Sequence, residues 1–260
     1  MGDIVVGTCG YGRYRPPDGW KQRYESKLQA FSHVFPAVEL NRTFYKLPMT
    51  RTARRWRREA ADDFVFTVKA WQALTHPTSS PTWRKRRDGL SERQQETFGY
   101  LRPNDAVVDA WQMTRKRAGA LDAPVCVLQT PGSFDCTDKH EENMRELLGG
   151  IERGGIQLAW EPRGDWKRHP ERVQSICDDL DLIHVVDIMR REPVSSHTTA
   201  YVRLHGFNED EYDYNYDYSS SELEALAGRM CELAGEHERV YCMFNNVQMY
   251  DNARQLMEML

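Results

Sequence analysis

Ile156-Gln157-Leu158-Ala159-Trp160-Glu161-Pro162-Arg163 is short, apolar at alternate positions and closed by a proline. In an extended strand successive side chains face opposite sides. Leu158 and Trp160 therefore share one side, while Gln157, Ala159, Glu161 and then Arg163 share the other. Large apolar residues outward and an ionisable residue ending the inward set suit one strand of a closed parallel barrel. Helices would cover its outside, and polar groups would gather at its C-terminal mouth.

Seven further runs have the same build, at residues 4–8, 37–41, 64–69, 125–129, 182–187, 200–205 and 239–245. Each is rich in Val, Ile, Phe or Leu and bounded by Gly, Pro or polar residues. Helical stripes lie between several of them: Trp20, Tyr24, Leu28, Phe31 and Phe35; Met144, Leu147, Leu148 and Ile151; Val173, Ile176, Cys177 and Leu180; Leu223, Leu226, Met230 and Leu233. Strands alternating with helices predict a parallel sheet, and eight of them predict a TIM-type (β/α)8 barrel. An open flavodoxin-like sheet is the alternative and needs fewer strands. Residues 188–199 are too short and too broken by Pro193 to hold a normal helix, so an irregular unit is expected between strands six and seven. A brief final helix is expected near 252–260.

The chain has 260 residues, close to the usual length of such a barrel, and neither repeat nor linker divides it, so one domain over 1–260 is expected. A net charge of -4 gives no global basic field for nucleic acid. No window approaches the roughly 18 apolar residues of a membrane span, and the first residues carry neither a basic region nor a long apolar run. Six cysteines without a CxxC pair, and no secretion signal, read as reduced thiols in a cytoplasmic protein.

The parity of the first run extends to the others. Val38 and Leu40 face outward, Glu39 and Asn41 inward. Phe66 and Val68 face outward, Thr67 and Lys69 inward. Val202 and Leu204 face outward, Arg203 and His205 inward, and Gln129 and Asp187 end their own strands. Charges are rarely left unpaired inside a barrel, and barrel enzymes keep their active sites at this end. A buried ion-pair network that merely plugs the barrel is the alternative.

The strand ends also carry a resemblance. Gly7-Thr8-Cys9-Gly10-Tyr11, then Val38-Glu39-Leu40-Asn41-Arg42-Thr43-Phe44-Tyr45 with Pro48, begin the pattern. Phe66-Thr67-Val68-Lys69 with Thr75-His76, Leu128-Gln129-Thr130-Pro131 and Glu161-Pro162-Arg163 with Trp166 continue it. Tyr201-Val202-Arg203-Leu204-His205-Gly206 and Tyr241 with Phe244-Asn245-Asn246 complete it. In this order the chain resembles the domain-of-unknown-function 72 family, whose bacterial members are called YecE-like. The resemblance implies a (β/α)8 barrel and supplies no reaction. Cys9 stands where many relatives carry Ser, and Thr130-Pro131 replaces a Pro-Pro pair.

Lys69, Arg163 and Arg203 are expected to converge at the mouth, where cations repel unless something negative joins them. Glu39, Glu161 and Asp187 supply part of that, and a ligand bearing phosphate or carboxylate, which suits the planar guanidinium fork, would supply the rest. Glu161 and Asp187 neutralising the arginines entirely is the alternative. The candidate catalytic residues are Glu39, Glu161, Asp187 and His205, for hydrolysis or another acid–base step. Substituting Glu161 or Arg203 is expected to abolish turnover and leave the fold intact. The candidate binding set is Asn41, Tyr45, Lys69, His76, Gln129, Arg163, Arg203 and Asn246.

No cofactor is assigned. Glu39, Glu161, Asp187 and His205 have the donor types for a divalent metal, which the neighbouring arginines oppose. Cys9 reads as a small buried residue more than as a nucleophile, and the glycines around it as sites of close backbone approach. Two loops bear on nucleic acid. Arg51, Arg54, Arg55, Arg57 and Arg58, with Trp83-Arg84-Lys85-Arg86-Arg87, would make a basic rim for a phosphate backbone. Residues 208–218 are acidic and carry Tyr212, Tyr214, Tyr216 and Tyr218, which would stack a base or sugar, or close over the mouth as a lid, while the acids would repel phosphate. An anionic small molecule or a nucleic acid is thus the expected partner, and a non-catalytic barrel binding a metabolite or a protein partner is the remaining alternative.

Overall fold

The computed structural model describes residues 1–211 and 213–260. Eight parallel strands close into a barrel in sequence order: β1 Asp3–Thr8, β2 Ala37–Leu40, β3 Val65–Lys69, β4 Val125–Gln129, β5 Gln157–Glu161, β6 Leu182–Val186, β7 Thr199–Leu204 and β8 Arg239–Phe244. Each expected strand is present, with ends displaced by at most one residue. The pairing of β1 with β8 closes the sheet and excludes the open alternative.

The helices are α1 Lys27–Ser32, α2 Arg42–Tyr45, α3 Thr50–Glu59, α4 Gln72–Thr75, α5 Glu92–Thr97, α6 Asp105–Gly119, α7 Asp138–Gly150, α8 Pro170–Asp179, α9 Ser220–Glu236 and α10 Met249–Met259. Three expectations need correction. The stripe from Trp20 to Phe35 is not one helix: Gly19 is left-handed at φ 79°, Trp20–Gln22 forms a 3-10 turn, and Ser26 caps a new start by accepting from the Gln29 N–H. The last helix begins at Met249 and is not brief. The arginines from Arg51 to Arg58 ride on α3 instead of a loop. Residues 188–199 hold no helix, as Pro193 suggests.

The period of two sorts the strand residues into two apolar layers. Val38, Leu40, Phe66, Val68, Leu158, Trp160, Val202 and Leu204 pack with the helices in the outer core. Ala37, Val125, Val127, Ala159, Ile183, Val185, Tyr201, Tyr241 and Met243 form a separate core inside the barrel. Gly7 faces this interior, where a β-carbon would lie 2.6 Å from the Ala37 carbonyl oxygen and 2.8 Å from Met243 Sδ. Among the described residues the interior below the upper end is thus filled by side chains.

Candidate functional site

The uppermost inward layer is built around Arg203, which β7 carries into the lumen with 1% of its surface exposed. Its Nε and Nη2 donate to the two oxygens of Glu39 on β2, at 3.0 and 2.8 Å. Its Nη1 donates to Glu161 Oε2 at the end of β5. Asn41 Oδ1 accepts from Nη2 at 3.5 Å, and the Asn41 amide donates to the Cys9 carbonyl at 3.3 Å. Tyr201, one step down β7, donates to Glu39 Oε2 at 2.9 Å and shares a 2.7 Å bond with Thr67.

One guanidinium therefore joins two carboxylates across the lumen. Burial works against its charge, but Glu161 and Glu39 outweigh that and raise its pKa well above the ordinary value. Burial would likewise raise the Glu161 carboxyl, yet Arg203 and then Arg163 hold it well below the usual range. Arg203 is a clamp beneath the mouth, with its guanidinium already held by two carboxylates. Glu39, wholly buried under the same clamp, does not reach the open mouth as a catalytic base would. The carboxylates that neutralise Arg203 are Glu39 and Glu161; Asp187 is not among them.

Lys69 and His76 lie on the β3 side. Lys69 Nζ donates to Gln129 Oε1 at the end of β4 and rests 4.3 Å from the centre of the Phe44 ring. Burial, followed by the charge of Arg203, lowers its pKa to about 7. His76 meets the same Phe44 ring edge-on at 4.8 Å and shares a 2.8 Å bond with Thr75. Burial and Lys69 hold it neutral, near pKa 3.

On the opposite side, Asp187 accepts the backbone N–H groups of His205 and Met189 at 3.0 and 3.1 Å. Burial still raises its pKa to about 6. His205 stands 3.8 Å from Asp187 Oδ2, too far for a hydrogen bond. Both His205 ring nitrogens are buried without a partner, and burial lowers the ring to about 3. Arg163 reaches Glu161 at 3.3 Å and the Tyr214 hydroxyl at 3.1 Å, and Tyr214 leans on the His205 ring at 5.3 Å. Glu161, Arg163, Asp187, Arg203 and His205 line one cavity of about 110 Å³.

Several expected residues stand elsewhere. Tyr45 is half exposed on the flank, packed on Phe44. Asn246 donates from its amide nitrogen to the Tyr216 carbonyl and to Asn252, so it anchors a loop, while its Oδ1 is buried without a partner. Arg57 donates to the carbonyls of Ala61 and Phe64, at the N-terminal end of β3, so the basic rim is divided between the two ends of the barrel. Cys9 is buried, and burial with Glu39 pushes its thiol well up, which removes it as a nucleophile. In the acidic loop, Glu211 pairs with Arg191 and Lys167, so that carboxylate is not free to repel an anion. Tyr216, Tyr218 and Phe207 pack edge-on against one another, whereas Tyr212 lies outside the described residues. Among the described residues no cluster of His, Cys, Asp and Glu is arranged to hold a metal ion. For the expected quartet the reason is geometric, since Arg203 takes Glu39 and Glu161 while backbone N–H groups take Asp187.

Three contributors were not singled out from sequence. Tyr201 shares the inward parity of Arg203, two residues away, and could have been found by that rule. Phe44 lies within a matched motif but carries no charge to mark it. Tyr214 was grouped with its loop, because its bond to Arg163 joins residues 51 apart in sequence.

The fold and this layer define a (β/α)8 barrel with an ionic cluster across the C-terminal ends of its strands. The chain belongs to the DUF72 family of proteins of unknown function, whose model matches residues 5–260. It is 25% identical to the UPF0759 protein YunF of Bacillus subtilis (strain 168) over 288 aligned positions, covering 99% of this chain and 94% of that protein. A solved DUF72 family protein from Thermotoga maritima MSB8 superposes with TM-score 0.71 at 25% identity, covering 98% of both chains. Another from Enterococcus faecalis V583 gives 0.70 at 17% identity, covering 99% of this chain and 97% of that one. No helix among the described residues is long and apolar enough to cross a membrane.

Two outcomes are expected from the clamp and from His205. Arg203→Met leaves Glu39 and Glu161 buried without their counter-charge and should cost about 3–5 kcal/mol in urea unfolding at pH 7; a change below 1 kcal/mol would remove the clamp's structural role. His205 is held below its ordinary pKa in the fold, so the unfolded chain takes up its proton first as pH falls. Its contribution is complete above pH 6.5 and is lost toward about 3, by up to about 1.4 kcal/mol per pH unit. His205→Gln should flatten the wild-type fall in unfolding free energy across that window.

Proposed function

We propose that the mouth is the active site of an enzyme that performs acid–base chemistry on a small substrate bearing a carboxylate or phosphate. The observation that carries this reading is His205, a buried imidazole with both nitrogens unpartnered on the wall of a cavity shared with Glu161, Arg163 and Asp187. Buried polar groups in native proteins are nearly always paired, and a substrate hydroxyl or carbonyl would complete this one. A neutral imidazole can donate from one nitrogen and accept at the other.

Charge supports the anionic part. Lys69, Arg163 and Arg203 face Glu39 and Glu161, which leaves one positive charge in excess when Lys69 is protonated and Asp187 is neutral, the state favoured below about pH 6. Asp187 turns its carboxylate to two backbone N–H groups. Stability does not account for the cluster, because buried ion pairs are often replaceable by apolar residues at no loss.

Sulfate keeps its charge across neutral pH and serves as a probe. Calorimetric titration should show tighter binding at pH 6 than at pH 8, as Lys69 gains its proton and Asp187 loses its charge. Arg163→Gln should weaken it about tenfold or more. No binding at millimolar sulfate, or equal binding by the variant, would defeat the reading.

A second reading has one observation in its favour. A groove on the flank, beside the segments that follow β2 and β3, is lined by Lys46, Lys85, Arg86 and Arg117 with Tyr45 and Trp71, and by no acidic residue among the described ones. Cations interleaved with aromatic rings suit a single-stranded nucleic acid. Affinity for single-stranded DNA should then fall steeply between low and physiological salt, and fall again in the Lys85→Ala, Arg86→Ala double variant. Salt-independent binding would rule it out.

A further inference from the structure

Lys69 is placed unlike the other cations of the mouth. Arg203 and Arg163 each meet a carboxylate. Among the described residues no carboxylate lies within salt-bridge distance of the Lys69 amine, whose contacts are the Gln129 side-chain carbonyl and the face of Phe44. The side chain is nevertheless only partly buried. A lysine in an apolar setting beside other cations is the arrangement that yields an amine nucleophile at neutral pH.

We propose that Lys69 is a catalytic nucleophile that condenses with the carbonyl group of a small aldehyde, ketone or 2-oxo acid to form a Schiff base. The proposal rests on the reading of the mouth as an active site and names the substrate class as an anionic carbonyl compound. The amine lone pair forms the C–N bond while the carbonyl π pair moves to oxygen, which takes up a proton. The nitrogen then releases a proton, and a second protonation of that oxygen lets it leave as water, giving the iminium. No oxidant or reductant enters. A carboxylate on the substrate would lie beside the iminium and offset its charge, which joins the carbonyl and anionic requirements in one molecule.

The groups that set the titration of Lys69 come from several elements: Glu39 on β2, Glu161 on β5 with Arg163 just beyond it, and Arg203 on β7. Gln129 on β4 accepts its hydrogen bond, and His76, after α4, feels its charge. Burial and Arg203 lead in bringing the amine to about 7, against the pull of Glu161 and Glu39.

The test uses the full-length protein with pyruvate or glyoxylate and sodium cyanoborohydride, whose hydride reduces any iminium to a stable secondary amine. Peptide mass spectrometry then reports which lysine carries the adduct. At pH 7, Lys69 should be labelled at least about tenfold faster than the exposed Lys21 and Lys116. Its rate should level off above about pH 7. Lys69→Arg, which keeps a cation, should remove the fast adduct while circular dichroism stays unchanged. Labelling of Lys69 no faster than Lys116 overturns the proposal. If sulfate binding still depends on Arg163 in that case, the anion-binding reading stands and only the nucleophile falls. If sulfate binding fails as well, both fall.

Discussion

Arg203 and its two glutamates set what the rest of the mouth can be. A guanidinium with 1% of its surface exposed would be prohibitively costly without partners, and a buried glutamate alone would be nearly as costly. Together they close a bridge from β7 to β2 and β5, directly above an apolar interior of tyrosine, valine and alanine. Tyr201, itself bonded to Thr67, adds a rung beneath by donating to Glu39 Oε2. The bridge is the floor of the mouth. Everything that faces a ligand stands on it or around it, and its charges act on Lys69 and His205 after burial, which shifts both the most.

The unit without a helix between β6 and β7 has a consequence for that surround. Arg190 donates to the Gly206 and Asn208 carbonyls, and Arg191 pairs with Glu211, so these residues hold the loop that follows β7. Gly206 turns that loop back at φ +102°, where a β-carbon would lie 2.3 Å from Tyr216. Its N–H donates to the Tyr218 hydroxyl. Tyr214 is thereby delivered to Arg163 and His205. A sequence segment that looks like a defect in the barrel pattern serves as the brace of one wall of the site.

The two faces of the mouth differ in what they offer. The β3–β4 side carries an amine on an aromatic ring, with an amide beside it. The β6–β7 side carries a neutral imidazole without a partner and a carboxyl whose pKa lies near 6. Between them the clamp is electrically balanced once Arg163, which meets Glu161, is counted with Arg203 against the two glutamates. In the proposed reaction, proton transfer and covalent chemistry would fall to the two flanks, with the centre acting as a fixed electrostatic reference.

Strand positions and their inward or outward parity were legible in the sequence, because both follow from a local period of two and from short apolar runs ending in polar residues. The α/β alternation made barrel closure legible as well. Which cation meets which carboxylate was not legible. Arg203 and Glu39 are 164 positions apart, and Arg203 and Glu161 are 42 apart; only the shear and closure of the barrel bring their side chains to one height. Burial was also beyond local reading, since it depends on what stands above and beside a residue. That is why neither the role of Arg203 as the floor nor that of the Asn246 amide as a loop anchor could be read from the sequence. The order of residues determined a barrel with a charged mouth, and the tertiary structure alone decided which of those charges are already spent on one another.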